Sequence, residues 1–132
     1  MGDPNFCFRD SGLLRQFLKI ATMRDLLAHP KLGFSWESFA MEQVLSRFGE
    51  QDSYFWATHN GAELDLLLLR KGKPWGFEFK FTETPEITKS MQIALKDLKL
   101  PKLWLVYPGN KKIALDKKIE LVGLNRLPEI HF

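Results

Sequence analysis

Asp65 is separated by twelve residues from Glu78, and Glu78 by one residue from Lys80. Two carboxylates and a lysine brought together can hold a divalent cation through hard oxygen ligands and steer a water beside it. Such chemistry needs the three side chains to meet, so the elements that carry them decide the matter. Trp75-Gly76-Phe77-Glu78-Phe79-Lys80-Phe81 predicts a strand. Its period of two puts Phe77, Phe79 and Phe81 on one face and Gly76, Glu78 and Lys80 on the other. A polar face is also the ordinary outer face of an antiparallel strand. Glu63 to Leu69 predicts the strand before it, with Glu63, Asp65, Leu67 and Leu69 on one face and Leu64, Leu66 and Leu68 on the other. Leucine on both faces implies cover on both sides, which leaves Asp65 at least partly buried. A hairpin closing on residues 70 to 73 sets Asp65 opposite Glu78 and Glu63 opposite Lys80. Like charges directly opposed cost roughly 0.2–1 kcal/mol, and a divalent cation would reverse that sign. Glu63 with Lys80 reads equally well as a plain cross-strand ion pair.

A third acid comes from a helix. Ser35 can cap a helix from Trp36 to Phe48. At about 100° per residue, Ala40, Met41, Val44, Leu45 and Phe48 form an apolar stripe with Glu37 near its middle. Glu42 falls on the opposite side, between Ser38 and Ser46. A buried lone carboxylate is costly unless it is paired or ligates something. A half-exposed Glu37 in the first turn would instead serve the helix dipole. The helix pattern leaves both readings open.

The remaining elements frame these residues. Asp10 can cap a helix over about Ser11 to Ile20, and Thr22 with Asp25 can open a short one that His29-Pro30 stops. Tyr54 to Thr58 predicts a strand, Asn60-Gly61 a turn, Thr88 to Leu98 a helix and Leu103 to Val106 another strand. Weaker strands are expected near Ile113 to Leu115 and Ile119 to Val122. The order predicts one α/β domain over residues 1–132. It divides into an N-terminal helical segment over 1–34, a core over 35–107 and C-terminal strands over 108–132.

Composition bounds the function. The 132 residues are 45% hydrophobic and 27% charged, which suits a single folded domain. No apolar run is long enough to cross a bilayer, and no basic region with an apolar core opens the chain, so a cytoplasmic protein without a membrane segment is expected. Cys7 is the sole cysteine, which excludes an internal disulfide and a cysteine-built zinc site. Neither a P-loop nor a Gly-x-Gly-x-x-Gly fingerprint occurs. The net charge of +3 permits a polyanionic partner without requiring one.

Asp65 followed at a distance by Glu78-Phe79-Lys80, on a hairpin preceded by a helix bearing Glu37, resembles the PD-(D/E)xK nuclease superfamily. The helix–strand–strand–strand–helix–strand order is similar to that superfamily's restriction-endonuclease-like core. Gly33 and Glu37 match a spacing found in its resolvase-like members. Leu64 stands where the superfamily's proline would precede the first acid. Phe8-Arg9-Asp10-Ser11-Gly12-Leu13-Leu14, the stretch Gly33 to Leu45, Glu63-Leu64-Asp65 and Phe77-Glu78-Phe79-Lys80 also look like a further domain. That domain, of unknown function, follows the P-loop module in prokaryotic AAA-type ATPases. The likeness runs from about Phe6 to Val122.

The resemblance implies that Asp65, Glu78 and Glu37 hold Mg²⁺ or Mn²⁺, that Lys80 orients the attacking water, and that the substrate is DNA or RNA. His59 and Lys89 are weaker candidates for phosphate contact, each equally readable as a solvated side chain. A reading from another class is a non-catalytic module that partners a P-loop ATPase or forms a homodimer.

Overall fold

Tight turns set the first half of the sheet. Gly61 (φ 92°) and Gly72 (φ 72°) take the left-handed backbone that the two hairpin turns require. The computed structural model describes residues 5–8 and 32–132. The helices expected over Ser11 to Ile20 and after Thr22 lie outside the described residues. In chain order the elements are β1 (Asn5–Phe8), α1 (Leu32–Phe48), β2 (Ser53–Thr58), β3 (Glu63–Arg70), β4 (Lys73–Phe79), α2 (Lys89–Asp97), β5 (Leu103–Tyr107), β6 (Lys112–Ala114), β7 (Ile119–Gly123) and a 3₁₀ turn (Leu124–Glu129).

The strands form one seven-stranded sheet in the order β1-β2-β3-β4-β5-β7-β6. The β2, β3 and β4 strands are antiparallel neighbours. β4 pairs with β5, and β5 with β7, in parallel. The mixed α/β architecture matches the expected element order. β1, which pairs antiparallel with β2, and the 3₁₀ turn were not signalled. Neither is long enough to show a period. β7 is buried along its whole length, between β5 and β6, and is a full member of the sheet.

Among the described residues, α1 covers one face of the sheet and α2 the other, each over its own core. Trp36, Ala40, Val44 and Leu45 of α1 pack with Leu66, Leu68, Phe77, Phe79, Trp104 and Val106. Met91 and Ala94 of α2 pack on the other face with Trp56, Leu64, Leu67, Leu103 and Leu105. Thr88 starts α2 by accepting the Met91 amide at 3.2 Å. The far end of α1 is held by Arg70, whose guanidinium donates to the carbonyls of Phe48 at 3.0 Å and Gly49 at 2.7 Å. These are the carbonyls that a helix end leaves without partners. No helix among the described residues is long and apolar enough to cross a membrane.

The simple alternation expected for β3 is broken. Tyr54 opposes Leu67 but Trp56 opposes Leu64. Two β3 residues, Asp65 and Leu66, therefore oppose Phe55 alone, which is a β-bulge. The bulge explains why Leu64 packs with Leu67 on the α2 face while Leu66 and Leu68 face α1. It also frees Asp65 from strict alternation exactly one residue before the β3–β4 ladder begins at Leu66 and Phe77.

Candidate active site

The hairpin register brings the two acids together. Leu66 pairs with Phe77 and Leu67 with Gly76, and the same offset carried one rung further sets Asp65 opposite Glu78. Backbone pairing between β3 and β4 stops there, and the carboxylates take its place. The Asp65 amide donates to Glu78 Oε1 at 2.9 Å, and the Phe79 amide donates to Asp65 Oδ2 at 3.0 Å. β4 continues along β5 instead, with the Lys80 amide donating to the Val106 carbonyl at 3.0 Å. The strands thus part at the acids, and the side chains fill the opening.

Glu78 is only 6% exposed. Burial, followed by the charge of Asp65, pushes its carboxyl up to about 8. Burial also raises Asp65, against the opposing pull of the Phe79 amide and of a hydrogen bond with Glu78. At neutral pH the metal-free pair therefore retains a proton, carried by Glu78 and shared with Asp65.

Glu37 joins from α1. The helix begins at Leu32, four residues before the expected start. Glu37 therefore lies beyond the first turn, and the helix-dipole reading of this residue is set aside. Burial and the charge of Asp65 raise its carboxyl, while Lys80 and the Phe81 amide pull it back. Glu37, Asp65, Glu78 and Lys80 thus form one electrostatic neighbourhood. Among the described residues, no three acid, histidine or cysteine side chains are gathered closely enough to form a preassembled metal cage.

The other candidates stand apart. His59 is exposed in the turn before β3, and Lys89 is exposed at the first position of α2. Glu63 is exposed, and its charge adds to the raising of Asp65. The cross-strand ion pair that is one reading of Glu63 with Lys80 does not form, because β4 has ended at Phe79 and paired away toward β5.

A further buried acid, Glu120, escaped the sequence reading. It accepts from Trp104 Nε1 at 3.1 Å and lies 3.2 Å from Lys112 Nζ and 3.3 Å from Lys102 Nζ. Burial acts to raise its carboxyl, but Lys112, Lys102 and Trp104 together outweigh that and hold it below its usual range. Lys112 reaches Glu120 across the β6–β7 hairpin, but Trp104 and Lys102 meet it only through the parallel pairing of β5 with β7, which no local spacing reveals. Glu120 shows how this fold accommodates a buried acid by surrounding it with donors. Glu78 is treated in the opposite way, with another acid as its neighbour.

The family model for a domain of unknown function, DUF4143, matches residues 32–127. The chain belongs to the DUF4143 family. The matched stretch of this DUF4143 domain runs from the first residue of α1 into the 3₁₀ turn and contains Glu37, Asp65, Glu78 and Lys80. The chain is 41% identical over 124 residues to the uncharacterised proteins Mb2031c of Mycobacterium bovis and Rv2008c of Mycobacterium tuberculosis. The match covers 94% of the chain and 28% of each relative. No solved structure matches the DUF4143 chain significantly.

Proposed function

We propose that this DUF4143 domain is a metal-dependent phosphodiesterase of the PD-(D/E)xK type, with a restriction-endonuclease-like core acting on nucleic acid. The observation that carries the reading is the pairing of buried Glu78 with part-buried Asp65 where β3 and β4 separate, with Lys80 just past the end of β4. A buried acid beside a part-buried one is unfavourable for the fold alone, and shifted carboxyls gathered at one point mark functional sites. The order of α1, β2, β3, β4, α2 and β5 supports the same reading.

The donor set suits a hard cation. Asp65 and Glu78 share a proton whose place a divalent ion can take, and both offer only oxygen. These two residues would hold Mg²⁺ or Mn²⁺, with Glu37 as a third acid brought in from α1. When bound, the ion polarises a phosphate oxygen and lowers the pKa of a water. Lys80 would hold the attacking water by its ammonium and offset the charge that grows on the phosphate. Lys80 follows Glu78 by two residues, and its charge acts on Glu37, Asp65 and Glu78 alike, so it and the acids can address one phosphate. The reading is tested by incubating labelled single- and double-stranded DNA and RNA with the protein and Mn²⁺. Cleavage that Asp65→Asn abolishes, with the circular dichroism spectrum unchanged, is the expected result.

One observation favours a second reading. Each carboxylate already accepts a backbone amide and the two share a proton, so the pair is satisfied without an ion. A non-catalytic module serving a P-loop ATPase would have this character. Under that reading no nucleic acid is cleaved, and Asp65→Asn leaves partner binding unchanged.

A further inference from the structure

A cavity of about 600 Å³ opens between α1, Phe81 and the C-terminal 3₁₀ turn. Pockets for small ligands run from about 300 to 1,000 Å³. Trp36, Phe39 and Phe81 supply its aromatic lining, and Gln43, Arg47 and Asn125 its polar groups. We propose that this cavity receives one unpaired nucleobase of a nucleic-acid strand. The proposal rests on the phosphodiesterase reading and deepens it, because it makes single-stranded or splayed nucleic acid the substrate class.

The cavity and the acids share backbone. Trp36 precedes Glu37, and Phe81 follows Lys80. The Phe81 amide reaches the Glu37 carboxylate. A nucleotide seated in the cavity therefore sits next to the residues that would address its phosphate.

The lining matches the chemistry of a base. Trp36 is 1% exposed and forms a floor, and its ring lies 5.7 Å from that of Phe81. Phe39 and Phe81 are partly exposed and offer surfaces on which a flat ring can stack. The side-chain amides of Gln43 and Asn125 make no hydrogen bond among the described residues. Each carries a paired donor and acceptor, the arrangement that reads the edge of a base. Phe39, Gln43 and Arg47 follow one another at four-residue intervals along one stripe of α1, about 12 Å in all. That stripe leads from the stacking surface to an exposed guanidinium suited to a phosphate. An apolar peptide side chain would use the aromatic walls but neither amide nor the cation. A base within a duplex is already stacked on its neighbours and cannot enter without being extruded.

The test is fluorescence anisotropy in EDTA with labelled oligodeoxyadenylate and with the same sequence as a blunt duplex. Working without metal separates this binding from the ion site, which calorimetry tests independently. The single strand is expected to bind more tightly than the duplex. Phe39→Leu is expected to weaken it about tenfold, the scale of one lost base stack. Phe39→Tyr, which keeps the ring, should retain binding, and Gln43→Ala with Asn125→Ala should also weaken it. Absence of single-strand binding, equal binding of duplex, or Phe39→Leu binding like the wild type would each overturn the proposal. None of these results would touch the metal-dependent reading.

Discussion

Asp65 gives its backbone amide to Glu78 Oε1 at 2.9 Å, although the two side chains are both acids. The bond is made possible by the bulge at Asp65 and Leu66 and by the departure of β4 toward β5. It fixes Glu78 in a dry position beside a second carboxylate. Several measurable properties follow from that placement.

The first is a dependence of stability on pH. The Glu78 carboxyl rises to about 8 in the fold from an ordinary value of 4.5. A group raised on folding contributes stability that is complete below its unfolded value and is lost as pH climbs through the folded one. The metal-free protein should therefore weaken between about pH 5 and pH 8, by a few kcal/mol at most. Glu78→Gln keeps an oxygen for the Asp65 amide and an N–H for the Asp65 carboxylate. Urea midpoints should show the wild type falling relative to Glu78→Gln across that window. Parallel curves would show that Glu78 does not hold the proton.

Glu120 should behave in the reverse sense. Its lowered carboxyl contributes stability above about pH 4.5 that is lost as pH falls through the folded value. Glu120→Gln leaves Lys102 and Lys112 without their counter-charge, and a loss of about 1–2 kcal/mol at pH 7 is expected from denaturant melts. The difference from wild type should shrink in acid.

Arg70 joins the hairpin to α1 through bonds to the Phe48, Gly49 and Gln51 carbonyls. Arg70→Ala removes donors from a helix end, and a loss of about 1–3 kcal/mol is expected. Lysine has one compact ammonium where arginine has a fork, so Arg70→Lys should recover only part. Thermal unfolding of the three proteins checks this.

The hairpin and its acids were legible because alternation and a short polar turn fix a register. Residues 70 to 73 set the offset, and Asp65 and Glu78 met as that offset requires. The bulge was not legible, since Leu64, Leu66, Leu67 and Leu68 look alike whichever face they take. Ser35 resembles a cap and so points to a later start for α1, whereas the helix runs back through Gly33 to Leu32. The cavity beside Phe81 depends on the 3₁₀ turn at Leu124–Glu129 meeting α1, a long-range contact without a local pattern.

Lys80 separates ion holding from hydrolysis. If its ammonium positions water, Lys80→Ala should lower the rate of oligonucleotide cleavage at least about a hundredfold, the range of acid–base assistance. Metal affinity should change much less. Lys80→Arg should not restore the rate, because the guanidinium presents a different geometry and does not give up its proton. Equal loss of affinity and rate would make Lys80 a structural counter-charge instead.

The most direct measurement is titration calorimetry of the folded protein with Mg²⁺ and Mn²⁺ at pH 7, repeated in buffers of different ionisation enthalpy. Binding is expected, with release of the proton that Glu78 holds and therefore with heats that vary with the buffer. Glu78→Ala should abolish it. Absence of binding to the folded wild type, or binding that survives Glu78→Ala, would contradict a metal site at Asp65 and Glu78.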